Sequence, residues 1–363
     1  MIPVTKPYFP SREKLNKYID GIYERQWLTN NGELVQELTR RLESYLGVEN
    51  LLLVSNGTLA LQIAYRALGL CESTEHRPEA ITTPFTFIAT ASSLKWEGIE
   101  PVFADIDPHT WCLDPANIEA AITPNTKAIV PVHVFGNACN VKAIHAIAQK
   151  HNLKVIYDAA HAFGVKYKGE SLLKHGDAAT LSFHATKLFH TGEGGAIIFK
   201  RKEDLERAKK MINFGMSGPE SIEELGINAK MNELQAAMGL CVLDEIEENL
   251  AAREKVWHRY EQALASSLQL QARPDALDYN YAYFPTVFES EEQSMCVADT
   301  LKENGVLARR YFYPSLDSMG FLESKQEQPI SKDIASRILC LPIYFGLSTK
   351  EVDGISEKVM EGI

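Results

Sequence analysis

Between residues 50 and 200 the chain alternates short apolar runs with longer segments that carry hydrophobic residues at helical spacing. A short apolar run is typical of a buried strand, and apolar residues three and four positions apart indicate one face of a helix. The predicted strands are residues 51–54, 80–82, 101–104, 128–132, 154–157, 178–182 and 196–199. The predicted helices between them include residues 58–68, 88–96, 117–121 and 141–151. This alternation predicts an α/β fold with a mainly parallel central sheet flanked by helices.

Amphipathic segments continue on both sides of this region. Residues 32–46 and 232–264 have the apolar period of helices. The pattern changes near residue 250, after which the predicted elements are a strand at 279–287, a polar turn at 323–329, and helices at 290–303, 331–338 and 348–359. We therefore predict a large domain of residues 1–245 and a smaller C-terminal α+β domain of residues 246–363.

Composition narrows the class of protein. The chain has 363 residues, of which 45% are hydrophobic and 23% charged, as is ordinary for a soluble globular protein of two domains. A net charge of −11 without a basic cluster argues against nucleic acid and anionic membranes as partners. No apolar run is long enough to cross a bilayer, and the six scattered cysteines resemble reduced thiols. A cytoplasmic location is expected.

Two residues stand where an apolar run gives way to polar or small residues. Lys187 follows the strand at 178–182, and Asp158 follows the strand at 154–157. In an open α/β sheet the carboxyl ends of the strands open into the ligand crevice. An amine and a carboxylate in one crevice suit a pyridoxal phosphate (PLP) enzyme, in which the lysine bonds to the cofactor aldehyde and the acid keeps the pyridine nitrogen protonated. Considered alone, Lys187 could be a solvated surface amine and Asp158 could be a helix cap.

The segment after the first predicted strand has the features of an anion site. Gly57 would allow the backbone to approach a ligand closely, and the start of the following helix presents free N–H groups. Thr58 adds a hydroxyl, and Ser182 could also bind phosphate. The alternative is a helix cap without a ligand. The segment is neither a GxGxxG fingerprint nor a P-loop, so a bound dinucleotide or ATP lacks support.

Aromatic residues near the ends of the strands are candidates for contact with a planar cofactor. Phe87 is the first choice for stacking on the ring and Phe85 the second, with a core position as the alternative for either. His161 could reach the phenolic oxygen of the cofactor or bond to backbone. Asn228 precedes an apolar helical face and has an ordinary alternative role as a turn residue. The histidines lack a metal-ligand spacing, so no metal site is predicted.

Six segments together resemble the nucleotide-sugar aminotransferases of the DegT/DnrJ/EryC1/StrS family, which are fold type I PLP enzymes. The segments are WLTNNG at 27–32, SNGT at 55–58, PFTF at 84–87, DAAH at 158–161, SFHATK at 182–187 and GINAKM at 226–231. They occur in the order of the family and cover nearly the whole chain. The combination is specific, although no single segment is.

The resemblance implies a role for each matching position. Lys187 would hold the cofactor covalently and move the proton, Asp158 would bond the pyridine nitrogen, and Phe87 would stack on the ring. Phosphate binding would fall to Gly57, Thr58 and Ser182. His161 stands where the family often has Gln near the phenolic oxygen. Asn228 would reach the phosphate of the neighbouring subunit's cofactor, which implies a homodimer with shared active sites.

The substrate is also indicated by resemblance. The segments 182–187, 191–195 and 308–314 are most similar to members that aminate C4 of dTDP-4-keto-6-deoxyglucose, with L-glutamate as donor and pyridoxamine phosphate as the intermediate form of the cofactor. Such enzymes serve deoxysugar biosynthesis, including that of lipopolysaccharide O-antigen. Contacts with the pyrophosphate are expected from Arg309, Arg310, Tyr311 and Tyr313, because arginine forks match phosphate oxygens.

Three other hypotheses of function are consistent with the sequence. Amination at C3, or of a UDP- or GDP-linked keto sugar, would use the same machinery. A PLP-binding regulator would retain the cofactor without catalysis. An ordinary α/β binding protein would carry Lys187 and Asp158 by coincidence.

Overall fold

The computed structural model of the protein describes residues 1–72, 76–322 and 326–363. Part of the predicted turn at 323–329, namely residues 323–325, lies outside these ranges. Two helices precede the sheet, α1 (Arg12–Arg25) and α2 (Glu33–Leu46). The sheet region follows with β1 (Leu51–Val54), α3 (Gly57–Ala67), β2 (Glu79–Thr82), α4 (Ile88–Trp96), β3 (Glu100–Phe103), α5 (Pro115–Ala121), β4 (Thr126–Val130), α6 (Val141–His151), β5 (Lys154–Asp158), β6 (Lys166–Tyr167), β7 (Glu170–Ser171), β8 (Ala178–Ser182) and β9 (Gly195–Phe199).

The rest of the chain is richer in helix. Its elements are α7 (Lys202–Met211), β10 (Met216–Gly218), β11 (Ser221–Ile222), α8 (Glu233–Asp244), α9 (Ile246–Leu264), β12 (Gln269–Leu270), β13 (Leu277–Asp278), β14 (Phe284–Val287), α10 (Glu291–Glu303), α11 (Pro329–Arg337), β15 (Ile338–Leu341) and α12 (Thr349–Glu361). Ser348 caps α12, and its side chain forms a capping box with Glu351.

In the part of the chain that the structure describes, the central sheet has seven strands in the order β1-β9-β8-β5-β4-β2-β3. The five strands from β8 to β3 are parallel. Strand β9 is antiparallel to both of its neighbours, so β1 points in the same direction as β8. The carboxyl ends of β1, β2, β4, β5 and β8 therefore meet at one edge, where an open sheet binds its ligand. The predicted, mainly parallel sheet is present.

Two predicted elements differ from the structure. The helix expected over 232–264 is broken at Glu245 into α8 and α9, because the Glu245 backbone leaves the helical conformation with φ −117° and ψ 13°. Its carboxylate accepts a hydrogen bond from the Tyr8 hydroxyl (2.8 Å), which secures the break. The strand expected over 279–287 is shortened to β14, because Tyr281 has a left-handed φ of 51°. Asn280 instead donates to the carbonyl oxygens of His161 and Phe163.

Buried apolar side chains form clusters on both faces of the central sheet. A further cluster lies in the C-terminal part of the chain, from the start of α9 at Ile246 onward. The C-terminal cluster joins α9, α10 and α12 to β14 and β15. Ile2 pairs with Val306, so the start of the chain lies against this part. The division into residues 1–245 and 246–363 stays a prediction.

A buried carboxylate fixes the loop at 27–32. Glu233, the first residue of α8, accepts hydrogen bonds from the backbone N–H groups of Leu34 and Val35, both at 3.0 Å. It thereby caps the start of α2. A Cβ atom at Gly32 would lie 2.5 Å from Cδ of Glu233, so glycine is required for this close approach. The amide of Glu233 also donates to the carbonyl oxygen of Leu28 at 2.9 Å.

A membrane-spanning helix is absent from the described residues, since no helix there is both long and apolar enough to cross a bilayer. Over the same ranges, 1–72, 76–322 and 326–363, no group of three or more His, Cys, Asp or Glu side chains could hold a metal ion.

Candidate active site

The carboxyl ends of the parallel strands open into a cleft of about 760 Å³. It is lined by segments at the ends of β1, β2, β5 and β8 and by residues from the C-terminal part. The predicted site residues that line it are Gly57, Thr58, Phe87, Asp158, His161, Ser182, Lys187, Arg309 and Tyr311. A cavity of this size accommodates a cofactor and part of a second ligand.

Lys187 lies in the turn after β8, where its backbone N–H donates to the His184 carbonyl oxygen at 2.9 Å. Its Nζ is 3.3 Å from the hydroxyl of Tyr283. Burial lowers the pKa of Lys187 to about 8, the charge of Asp158 opposes this change, and the Arg309 guanidinium adds to it. Near neutral pH about a tenth of this amine is therefore uncharged and nucleophilic, far more than of an ordinary lysine.

Asp158 is the last residue of β5, and 7% of its surface is exposed. Oδ2 accepts a hydrogen bond from the Thr90 hydroxyl at 2.7 Å, and Oδ1 accepts one from the Ala160 backbone N–H at 3.1 Å. Burial raises the pKa of Asp158, while these two hydrogen bonds and the charge of Lys187 lower it. Both hydrogen bonds favour the ionised form without neutralising it, so the carboxylate is available to pair with a cation such as a protonated pyridine nitrogen.

His161 forms a hydrogen bond to backbone, which is one of the two roles expected for it from the sequence. Its Nδ1 accepts a hydrogen bond from the Phe135 N–H at 3.1 Å. Burial, followed by the charge of Lys187, holds the pKa of His161 well below its usual value. The neutral ring that accepts at Nδ1 carries its proton on Nε2. That N–H is a donor that fits the phenolic oxygen of PLP.

The start of α3 forms an anion cradle. The Asn56 side chain caps the helix by accepting from the Leu59 N–H at 2.9 Å. A Cβ atom at Gly57 would lie 2.8 Å from Cβ of Ser182, so glycine allows the helix start and the end of β8 to meet. The backbone N–H groups of the first helical turn, with the hydroxyls of Thr58 and Ser182, fit a phosphate group.

Phe87 and Phe85 occupy different environments. Phe87 immediately precedes α4, lines the cleft and is 52% exposed. Phe85 is fully buried and packs edge-on against Phe135 and Phe312. The first choice for the ring contact therefore lies where a planar cofactor would cover it, and the second belongs to the core.

The segment 309–313 divides its side chains between two environments. Arg309 and Tyr311 line the cleft, with the Arg309 guanidinium 4.5 Å from the centre of the Tyr311 ring. Arg310 lies outside the cleft, where it pairs with Glu291 and stacks on the Tyr313 ring at 3.5 Å. The backbone of Arg309 pairs with that of Cys340, and successive side chains of such an extended segment point to opposite sides. Arg310 and Tyr313 do not line this cleft, and their contact with the substrate stays a prediction.

Asn228 is exposed and lies outside the cleft of its own chain. Its backbone forms a bridge with that of Asn213, and the Nζ of Lys230 donates to Oδ1 of Asn213 at 2.8 Å. Its contact with a neighbouring subunit stays a prediction.

A buried pair on α9 connects the lysine turn to the C-terminal part. Arg253 donates to the carbonyl oxygens of Ala282 and Ile343, at 3.3 and 3.2 Å, and to Oδ1 of Asn249 at 3.1 Å. Asn249 donates in turn to the carbonyl oxygen of Leu188 at 3.1 Å. One helical turn thus holds the backbone beside Lys187 and the backbone before Tyr283.

Sequence reasoning missed two residues that contact the predicted catalytic pair. Tyr283 lies next to Lys187, and Thr90 bonds to Asp158. A signal for Thr90 was present, because Thr86 and Thr90 are four residues apart at the start of a helix that follows a strand. No sequence signal distinguishes Tyr283 from the other tyrosines nearby, since its position depends on the packing of the C-terminal part.

Comparison with known proteins places these features in a family. Residues 11–360 match the DegT/DnrJ/EryC1/StrS aminotransferase family. The chain is 42% identical to the dTDP-4-amino-4,6-dideoxy-D-glucose transaminase of Shigella dysenteriae, over 99% of this chain and 98% of that protein. It is 30% identical to the GDP-perosamine synthase of Escherichia coli O157:H7, with the same coverage of each.

A solved structure shows the same fold. The crystal structure of DesI in the presence of its TDP-sugar product superposes with a TM-score of 0.92 at 32% identity, covering 99% of this chain and 93% of that one. The predicted fold type I aminotransferase architecture and the predicted dependence on PLP are confirmed. The cradle at Gly57, the buried Asp158 and the amine of Lys187 fit this cofactor.

Proposed function

Because the chain belongs to the DegT/DnrJ/EryC1/StrS aminotransferase family, we propose that it transfers the amino group of L-glutamate to C4 of dTDP-4-keto-6-deoxy-D-glucose. The product is dTDP-4-amino-4,6-dideoxyglucose, and 2-oxoglutarate is the coproduct. Support comes from the 42% identity to a transaminase of that name. The observation that carries the proposal is that Lys187 and Asp158 line one cleft beside an anion cradle.

The residues of the cleft have separate roles in this reaction. When bound, PLP accepts the amino group and withdraws electrons from the reacting carbon. Nζ of Lys187, with a pKa of about 8, takes a proton from the donor's α-carbon and returns one to C4 of the sugar. The carboxylate of Asp158 keeps the pyridine nitrogen protonated. The guanidinium of Arg309 binds an anionic group of the substrate, and the N–H groups at the start of α3 bind the cofactor phosphate.

One experiment tests the reaction directly. The purified protein is incubated with dTDP-4-keto-6-deoxyglucose and ¹⁵N-labelled L-glutamate, and the product is examined by mass and by proton coupling. The expected product carries the label on C4. The purified protein should also be yellow, and Lys187→Ala should lose that colour and the activity while its melting temperature is retained. A colourless wild type that takes up no PLP would overturn the proposal.

A second candidate substrate differs in its nucleotide. The 30% identity to a GDP-perosamine synthase supports a GDP-linked 4-keto sugar as the second candidate. Parallel assays with dTDP-, UDP- and GDP-linked 4-keto-6-deoxy sugars decide between them through kcat/KM. A 3-keto sugar in the same series tests amination at C3, and the absence of turnover with every substrate, despite bound PLP, would favour a regulator.

We also propose that the protein is a homodimer with shared active sites. Apolar side chains are exposed on the segment that leads to Asn228, namely Phe214, Ile222, Leu225 and Ile227. An exposed apolar patch of this kind marks a protein interface. Asn228 would then reach the phosphate in the neighbouring cleft.

Mixed dimers test the sharing. Lys187→Ala and Asn228→Asp are each expected to inactivate their own homodimer, the second by repulsion of the phosphate. When the two inactive proteins are unfolded, mixed and refolded, a shared site predicts recovery, because one cleft of each mixed dimer regains both Lys187 and Asn228. If both residues serve the same chain's cleft, no activity returns.

The biological setting is part of the proposal. The six cysteines are free thiols, which suits a reducing cytoplasm. An amino sugar on a nucleotide carrier is a donor for glycan assembly, and O-antigen is the proposed destination. A strain lacking this protein should lose the amino sugar from its lipopolysaccharide and regain it on complementation.

A further inference from the structure

Two threonine hydroxyls form a hydrogen-bonded series that ends on Asp158 and begins at Thr86, which lines the cleft. Oγ1 of Thr90 lies 2.7 Å from Oδ2 of Asp158, and Oγ1 of Thr86 lies 3.0 Å from Oγ1 of Thr90. Both threonines are almost completely buried. They belong to α4 and the residues just before it, the same segment that places Phe87 in the cleft.

The direction of these hydrogen bonds follows from the chemistry of the groups. An ionised carboxylate only accepts, so the hydroxyl of Thr90 donates its single proton to Asp158. The oxygen of Thr90 is then free to accept, and Thr86 donates to it. Donors in series polarise one another in a low-dielectric interior, so the bond to the carboxylate is stronger than one from an isolated hydroxyl.

The other carboxylate oxygen is held as well. Oδ1 of Asp158 accepts from the backbone N–H of Ala160 at 3.1 Å. With one donor on each oxygen, the carboxyl group cannot rotate without losing a hydrogen bond. Each oxygen can still accept another donor, because a carboxylate has about four acceptor sites.

The side chain of Thr90 does not take the usual role of a threonine in a helix. A helical threonine commonly bonds to the carbonyl oxygen of the preceding turn. Thr90 instead reaches a residue 68 positions later in the chain, on a different element. The contact is thus specific to the β5 carboxylate and does not satisfy a need of α4.

We propose that Thr90, supported by Thr86, is a positioning residue that fixes the rotation of the Asp158 carboxylate and keeps it anionic toward the cofactor ring. This inference rests on the proposed function, because it concerns how Asp158 performs its part. Thr90 acts through Asp158 and does not itself line the cleft.

The test compares four variants with the wild type. Thr90→Val removes the hydroxyl at nearly constant shape, Thr90→Ser restores it, and Thr86→Val removes the second donor. Thr286→Val is the matched control, because Thr286 is also fully buried but donates to the Leu339 carbonyl oxygen in β15, away from the cleft. The measurements are the affinity of the apo-protein for PLP by spectral titration, kcat and KM for glutamate, and the melting temperature.

Thr90→Val should bind PLP more weakly and lose about 10- to 100-fold in kcat, as expected for a lost hydrogen bond to a charged group, with little change in KM for glutamate. Thr90→Ser should return both values to within a few-fold of the wild type, and Thr86→Val should have a smaller effect in the same direction. Thr286→Val should lower only the melting temperature.

Wild-type affinity and kcat in Thr90→Val would overturn the inference. So would a Thr90→Ser protein as impaired as Thr90→Val, since the methyl group would then be the part that matters. A wild type that fails to bind PLP would instead refute the proposed function, so the two failures are distinguishable.

Discussion

The hydroxyl of Tyr283 lies 3.3 Å from Nζ of Lys187 and brings the C-terminal part of the chain against the predicted nucleophile. The Tyr283 ring also packs against His161 at 4.6 Å between centroids. Burial raises the pKa of Tyr283, so the phenol stays protonated over the working range of pH. A neutral phenol can accept from the ammonium form of Lys187 or donate to its neutral form.

We expect Tyr283→Phe to lower kcat by about 10-fold, because one hydrogen bond that orients the amine is lost at constant ring packing. PLP should still attach to Lys187, which absorbance will show. Tyr281→Phe is a suitable control, since that ring lies outside the cleft. Equal kcat values for the two variants would exclude a role for the Tyr283 hydroxyl.

The covalent attachment of PLP to apo-protein should follow the titration of Lys187. Burial lowers the pKa of this amine to about 8, so the reactive neutral form is the minority below that pH and predominates above it. The rate of attachment, followed by stopped-flow absorbance, should rise about tenfold per pH unit below about pH 7 and level off above about pH 9. A rate that still rises at pH 10 would mean that the amine behaves like an ordinary lysine.

Asp158→Asn should retain PLP yet lower kcat by about 100- to 1000-fold, because the amide keeps the shape of the carboxylate but removes the charge opposite the ring nitrogen. Half-reactions with glutamate alone, followed by absorbance, measure the loss in the first step. Asp177→Asn is the control, because Asp177 lies at the opposite end of the sheet, where it accepts from the Val155 N–H. Near-normal turnover in Asp158→Asn would refute the electron-withdrawing role.

Removal of the buried cap on α2 should destabilise the fold. Glu233→Ala leaves two buried backbone N–H groups, those of Leu34 and Val35, without their acceptor. We expect a loss of about 2–4 kcal/mol in the free energy of unfolding, measured by urea denaturation. Glu203→Ala, an exposed glutamate in the first turn of α7, should change it by less than about 0.5 kcal/mol. Similar values for both variants would contradict the capping role.

The sheet was predictable from the sequence because each of its strands is a short apolar run. The predicted run at 178–182 coincides with β8, and the others agree with the structure to within two residues. Two features were harder to predict from the sequence, each for its own reason. Helix α1 has only a narrow apolar face of Leu15, Tyr18 and Ile22 among mostly polar residues. The break at Glu245 is accompanied by a contact with Tyr8, more than 200 residues away.

In the candidate site, too, some residues could be predicted from the sequence and others could not. Lys187, Asp158 and the Gly57 segment follow strands directly, so the rule for parallel sheets was enough to bring them together. The rule could not separate Arg309 from Arg310, because which side chain of an extended segment enters the cleft depends on its register with Cys340. It also could not indicate Tyr283, whose place depends on the packing of α9 against the C-terminal part.

The Asn249–Arg253 turn of α9 constrains how this chain can be recombined with its relatives. Its hydrogen bonds reach back to Leu188 and forward to Ala282 and Ile343, so three distant stretches share a single anchor. A chimera whose crossover falls between 188 and 343 would combine an anchor from one parent with its targets from the other. Exchange of residues 188–343 as one block would keep the hydroxyl of Tyr283 in position beside Nζ of Lys187.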